Sequence, residues 1–435
     1  MTRLKKHKFI VVLINLFFLV SAGCGLLEED YNLPQYDNSI KIGVVGDVSV
    51  LREQVENMFF GAKLASEEIN HFGGIDINNK SFEIELIFKN SGGSAEEGIK
   101  VTNELINEGV NIIIGPTFSS VAIEMAELCI ENEVLMMTYS VTTPELTFLN
   151  DDDLIWRTCP SDNTFGTISA QYCFDSLHYR SASIFYRDDR FGQGLSEIIK
   201  TKFMELDGYV ANYVSFPGDI VDLGTYNFSY ELNTLLSKEV DVIYIISFTS
   251  EIAVLTNEIY NNELYQQFDK KPSIFLNDGI IAEELIINGN PELLETVIGI
   301  TSTNTGNPNY NIYKTNYISR FGFAPSTYSE HTYDAVYCIA YAMLRANSSS
   351  PQDVAAYLRE ISGTGEVLDP PQTEQITINV NEFNVGKNII SKGQLINYEG
   401  ASGPINFDYH GDPVPKIVIW GIENNEFVEI TYYGK

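Results

Sequence analysis

The chain has 435 residues, 44% of them hydrophobic, with 59 acidic side chains against 27 basic ones and a formal net charge of -32. Such a length exceeds one comfortable hydrophobic core and calls for two lobes. The charge sets the chain against phosphate backbones, so nucleic acid is excluded as a partner, and it favours solubility and distance from anionic membrane surfaces.

The N-terminus reads as an export signal. Arg3, Lys5, Lys6 and Lys8 precede an apolar run over residues 9–20, broken only by Asn15. That run is too short to span a bilayer and fits a signal-peptide core. Ser21-Ala22-Gly23-Cys24 follows and resembles a bacterial lipobox, in which Cys24 is lipidated and becomes the new N-terminus, although Ser21 stands where such motifs carry an aliphatic residue. The alternative is an ordinary cleaved signal with an incidental cysteine. Residues 1–23 are thus expected to be removed, which would take the net charge to -36, and residues 24–39 to form an acidic tether. Several acyl chains at Cys24 would anchor the protein to a membrane.

From residue 40 short apolar runs alternate with amphipathic stretches. Strands are expected over 41–45, 83–88, 111–114 and 134–138. A helix is expected over 53–70, where Val55, Phe59, Ala62, Ala65 and Ile69 keep helical spacing. Ser94 with Glu97 forms a capping box for the next helix, and another helix follows Ser119. The rhythm restarts after about residue 160: strands over 183–186, 241–246, 273–276 and 297–300, and a helix over 194–206. Helices are then expected over 310–321 and 331–345, and a further one starting at Pro351 with Ser350 as its cap. Residues 363–374 read as a surface loop, and 416–421 and 427–432 as closing strands. This β-α-β-α order predicts an α/β protein with two doubly wound parallel-sheet lobes.

Neither zinc nor a cofactor finds a motif. Cys129, Cys159, Cys173 and Cys338 form no CxxC or Cys/His cluster; they read as small buried residues, with a Cys159–Cys173 disulfide as an open alternative. His331 beside Glu330 could act as an acid/base pair but reads as a surface pair at a helix start. No GxSxG, HExxH or GxxxxGK[ST] occurs, so the expectation is a protein that is not an enzyme.

Several segments together resemble the periplasmic ligand-binding proteins of the branched-chain amino acid transporter type. They are Ile40-Lys41-Ile42-Gly43-Val44-Val45, Phe72-Gly73-Gly74-Ile75, Gly115-Pro116-Thr117-Phe118-Ser119-Ser120 and Ser140-Val141-Thr142-Thr143-Pro144-Glu145-Leu146-Thr147. Further along come Trp156-Arg157-Thr158 with Asp162, Asp189-Arg190-Phe191-Gly192-Gln193-Gly194, Tyr333-Asp334-Ala335-Val336 and Gly403-Pro404-Ile405-Asn406-Phe407-Asp408 with Gly411-Asp412. The resemblance covers nearly all of residues 40–435 and implies a type I periplasmic binding protein fold with a three-segment hinge. It places lobe one at 40–160 and 302–413, lobe two at 161–301 and 414–435, and makes 363–392 an excursion from lobe one.

Ligands in doubly wound sheets bind beyond the C-terminal strand ends. Ser119 falls there, at a helix start whose backbone N–H groups favour an anion. By resemblance Ser119 receives a ligand carboxylate, the Ser140 carbonyl accepts from a ligand ammonium, and Thr142 contacts the ligand through its hydroxyl and backbone. Asp162, Phe191, Phe248 and Asp278 come from the other lobe. Asp278 matches a position that is acidic in the family and serves the ammonium through charge-assisted hydrogen bonds. Phe191 and Phe248 stand where the family has tyrosine, which favours an apolar or aromatic ligand side chain. Each of these residues also has a plain reading as a cap, turn or core position.

The resemblance therefore implies an extracytoplasmic, lipid-anchored monomer that binds an amino acid-like ligand and delivers it to an ABC permease and its ATPase. A ligand-binding sensor subunit signalling to a membrane partner is the alternative.

Overall fold

The computed structural model describes residues 36, 38–49, 52–220, 222–278, 283–304, 306–363, 375–413 and 415–433. The export signal, Cys24, the tether through residue 35 and the loop at 364–374 lie outside the described residues.

Among the described residues, six strands form the first sheet: β1 (Asn38–Gly46), β2 (Ile75–Ile77), β3 (Lys80–Asn90), β4 (Ile112–Ile114), β5 (Leu135–Thr138) and β6 (Ile155–Arg157). Their order is β2-β3-β1-β4-β5-β6. Only the β2–β3 pair is antiparallel; the others run parallel. The chain leaves β1 to one side for β3 and returns to the other side for β4, which makes a switch point between the C-terminal ends of β1 and β4.

The second sheet repeats the plan with β7 (Ser181–Asp188), β8 (Tyr209–Pro217), β9 (Val242–Ile246), β10 (Ser273–Leu276) and β11 (Val297–Ser302). A small third sheet, β12 (Gln375–Ile378), β13 (Leu395–Gly400) and β14 (Gly403–Pro404), intervenes. The chain then adds β15 (Ile417–Glu423) and β16 (Glu426–Tyr433) to the second sheet, whose order is β16-β15-β11-β10-β9-β7-β8. Its switch point lies between β7 and β9. The result is a two-lobed α/β architecture of the type I periplasmic binding protein kind.

Strands buried on both faces are readable as apolar runs, and β4, β5, β9 and β10 are of this kind, with almost every side chain inside. The edge strand β8 has no such run: its YVANYVSFP sequence is mostly half-exposed and carries no continuous apolar stretch. The helix expected over 194–206 starts earlier, at Arg190. Asp189 caps it, its carboxylate accepting from the Gly192 N–H at 2.9 Å.

Helix Ser329–Ala346 is buried on nearly every side, from Ser329 through Met343. It packs against helix Arg52–His71 so closely that a Cβ on Gly61 would lie 2.1 Å from the Ser329 carbonyl oxygen. Tyr333 and Tyr337 donate to Glu68 at 2.5 and 2.8 Å. Asp334 accepts from Tyr398 Oη, the Ala401 and Ser402 N–H groups and Ser402 Oγ, which ties the third sheet to lobe one. Burial nevertheless pushes the Asp334 carboxyl up to about 6.

Glu330 and His331 are not a surface pair: both are buried. His331 Nδ1 donates to the Thr158 carbonyl at 2.7 Å, Thr158 Oγ1 donates to the His331 carbonyl at 2.9 Å, and burial lowers the imidazole to about 4. Asn304 donates to the Glu330 carboxylate at 2.9 Å. The four described cysteines are free and buried, so Cys159 and Cys173 are not joined. Among the described residues no helix is long and apolar enough to cross a membrane.

Candidate functional site

The two switch points face each other across a cavity of about 460 Å³. Lobe one supplies its first wall. β4 is followed by Gly115, whose φ is +118° and whose Cβ, if present, would sit 2.2 Å from the Val45 carbonyl oxygen; only glycine lets the chain turn there. Helix Ser119–Glu131 follows, with Phe118 as N-cap and no side-chain cap. Ser119 is thus the first helical residue, not the cap. Its hydroxyl is free of partners among the described residues, and the first N–H groups of the helix have no intrahelical acceptor.

Asp47, at the end of β1, holds this corner in place. Its carboxylate accepts from Ser91 Oγ at 2.5 Å, the Gly93 N–H at 3.0 Å and the Phe118 N–H at 2.9 Å. Burial still raises its carboxyl above the usual range. Asp47 escaped the sequence reading because a single acidic residue after a strand carries no pattern.

The turn after β5 presents Ser140 and Thr142. Ser140 Oγ donates to the Thr117 carbonyl at 3.0 Å. A buried arginine fixes this turn from behind. Arg157 donates to the Val141 and Thr143 carbonyls at 3.1 and 3.0 Å, to Thr147 Oγ1 at 2.6 Å and to Asp412 at 2.5 Å. Thr147 Oγ1 in turn donates to Asp412 at 2.8 Å. The charged pair is therefore both neutralised and hydrogen-bonded, as burial demands.

Lobe two supplies an aromatic and acidic wall. Phe191 and Phe248 stack at 5.8 Å with their planes 4° apart, and Phe248 also stacks on Phe118 of lobe one at 5.9 Å. The Arg187 guanidinium lies 4.0 Å over the Phe248 ring. It is held by Asp189 at 2.5 Å, by Glu251 at 2.8 Å and by the Gly218 carbonyl at 2.6 Å.

Asp278, two residues past β10, is buried. Its Oδ2 accepts from the Tyr328 hydroxyl of lobe one at 2.6 Å, while Oδ1 has no partner among the described residues. Burial pushes this carboxyl up to about 6, with the tyrosine hydrogen bond opposing. Tyr328 has a φ of +68°, an uncommon conformation for a non-glycine residue.

Of the seven expected site residues, Ser119, Ser140, Thr142, Phe191, Phe248 and Asp278 line the cavity together. Asp162 does not. It is fully buried behind Thr142, whose Oγ1 donates to Asp162 Oδ2 at 3.1 Å. The sequence reading missed Phe118, Tyr328, Asn277, Gln54 and Met58, which also line the cavity. Phe118 lies inside the Gly115–Ser120 segment; Tyr328 carries no signal, since its strained backbone is invisible in sequence. The charged side chains lining the cavity are Asp278 and Glu284, and no lysine or arginine joins them among the described residues.

Two doubly wound lobes enclosing such a cavity define a cleft-type ligand-binding protein. The model of the receptor family ligand binding region matches residues 61–425, and the chain belongs to that family. The Leu/Ile/Val-binding protein homolog 1 of Brucella abortus (strain 2308) is 30% identical over 330 residues, covering 74% of this chain and 81% of that protein. A leucine-binding protein, LivK, of Thermotoga maritima superposes with a TM-score of 0.70 at 24% identity, covering 90% of this chain and 98% of that one. A solute-binding protein of R. palustris in complex with benzoate gives a TM-score of 0.69 at 12% identity, covering 91% and 96%.

Proposed function

We propose that the protein is an extracytoplasmic, lipid-anchored solute-binding protein of an ABC uptake system, and that its ligand is a free amino acid with an apolar or aromatic side chain. The observation that carries this reading is the charge layout of the cavity. One wall offers an anion the start of helix Ser119–Glu131 and the Ser119 hydroxyl. The other offers a cation the unpartnered oxygen of Asp278. A zwitterion satisfies both, and each contact reaches it from a different lobe. In this reading the Ser140 carbonyl also accepts from the ammonium, and the Phe191–Phe248–Phe118 stack forms the wall against the ligand side chain. The protein performs no chemistry on its ligand.

The relative from Brucella abortus carries a Leu/Ile/Val-binding name, and a LivJ protein of Streptococcus pneumoniae, 19% identical with a TM-score of 0.67, is in complex with isoleucine. Both favour an aliphatic amino acid. A benzoate-type ligand is disfavoured, because a carboxylate with no ammonium would leave Asp278 unpaired in a cavity without a cationic side chain.

Thermal-shift screening of the purified chain against amino acids, their amides and aromatic acids tests the reading. A ligand at 100 times its dissociation constant stabilises by about 2.7 kcal/mol, a readable shift. Stabilisation by leucine, isoleucine, valine or phenylalanine is expected. A response to aromatic acids alone would contradict it. Loss of the protein from the membrane fraction in Cys24→Ser tests the anchor.

A further inference from the structure

We propose that Asp162 is a positioning residue that makes the Thr142 hydroxyl an acceptor towards the cavity and thereby selects for a ligand ammonium. The inference rests on the reading that the ligand is an amino acid and assigns which of its ends Thr142 reads.

A threonine hydroxyl has one proton and two lone pairs. The Thr142 proton points to Asp162 Oδ2 at 3.1 Å, away from the cavity that the residue lines. The partner is held in place, because the Asp162 N–H donates to the Thr142 carbonyl at 2.8 Å. Both groups are buried, so no water competes for the hydroxyl proton. What remains for the ligand is a lone pair. A lone pair accepts from an ammonium N–H and has nothing to give a carboxylate. The hydroxyl of Thr142 therefore belongs to the ammonium end, and the carboxylate is left to Ser119 and the helix start.

Asp162 Oδ1 has no partner among the described residues. Arg157 is the cation that acts on it, and Asp278 the anion. Burial, and then the charge on Asp278, hold its carboxyl well above the usual range. The unsatisfied Asp278 oxygen and the Thr142 lone pair both line the cavity as acceptors, which suits an ammonium.

The test compares calorimetric affinities for L-leucine and for its des-amino analogue isocaproate. The preference for leucine is expected to fall roughly tenfold or more in Asp162→Ala. Asp162→Asn should retain most of it, because the amide oxygen still accepts from the hydroxyl. Thr142→Val should lose it as Asp162→Ala does, while Thr142→Ser keeps it, and in the Thr142→Val background Asp162→Ala should change little further. Unchanged preference in Asp162→Ala or in Thr142→Val overturns the proposal, as would full additivity of the two. Should Asp162→Ala fail to fold, the Thr142→Val and Thr142→Ser pair decides alone. A wild-type protein that binds no amino acid sinks the functional reading itself; one that prefers leucine while the variants do too sinks only the role of Asp162.

Discussion

The two lobes present opposite chemistry to the cavity yet support it with the same device. Lobe one offers neutral groups: donors at the helix start and Ser119, and acceptors in the turn at Ser140 and Thr142. Lobe two offers a carboxylate and aromatic faces. Behind each wall sits one buried arginine. Arg157 grips two carbonyls of the Thr142 turn and Asp412 near the return crossing. Arg187 grips Asp189 and Glu251, which belong to the helices carrying Phe191 and Phe248, and covers the Phe248 ring. Neither lobe holds a complete site for a zwitterion. Affinity for one then requires closure, because the ligand's two ends are differential contacts with two bodies.

The comparison breaks most visibly at the arginines. Arg157→Ala strands Asp412 and frees two buried carbonyls, at a cost of about 3–5 kcal/mol in stability. Arg187→Ala should cost less, because the Asp189 side chain is 26% exposed and keeps access to water. Denaturant unfolding of both variants measures the difference; an equal or reversed order would show that the two clamps are not ranked by burial.

A second break uses pH. Burial pushes the Asp278 carboxyl up to about 6. The groups that face it are Tyr328, which donates to it, and Asp162, which shares its sign. A bound ammonium favours the ionised form, so binding releases a proton in and below that range. Affinity should be flat above about pH 7 and fall below pH 6 by up to roughly tenfold per unit. Calorimetry across pH, with Asp278→Asn as the control that flattens the profile, checks the sign.

Much of this was legible in the sequence, unevenly. Buried strands such as β9 and β10 read cleanly because both faces are apolar. β8 did not, since an edge strand alternates weakly. Six of the seven site residues line the cavity; strand ends and a helix start point to Ser119, and the family resemblance supplies the others. Asp162 was misplaced by one layer: pattern puts it near the hinge but cannot say which side of Thr142 it occupies. Tyr328 and Phe118 were missed because contacts across the cleft join residues far apart in the chain. Glu330 and His331 read as a solvated helix start because nothing local announces that Thr158 and Asn304, distant in the chain, meet them.

Ser119→Ala should cost about 1–3 kcal/mol in ligand affinity, because the backbone donors of lobe one survive it; a loss as large as that of Asp278→Ala would put the main charge contact in lobe one instead. Arg190 of lobe two reaches Glu145 of lobe one at 2.6 Å and Glu124 at 3.4 Å. These side chains are partly exposed, so Arg190→Ala should weaken binding by no more than about fivefold, and less in high salt. Dissociation rates measured at two ionic strengths would reveal a larger role.

In the proposed reading, lobe two holds the ligand's ammonium through Asp278. The most direct test of this contact is the calorimetric affinity of Asp278→Ala for the amino acid that screening identifies, set against wild type at neutral pH. The variant should bind about 2–5 kcal/mol more weakly, roughly 30-fold or more. Unchanged affinity would mean that no ammonium sits at Asp278 and that the ligand is a carboxylic acid or amide held by lobe one.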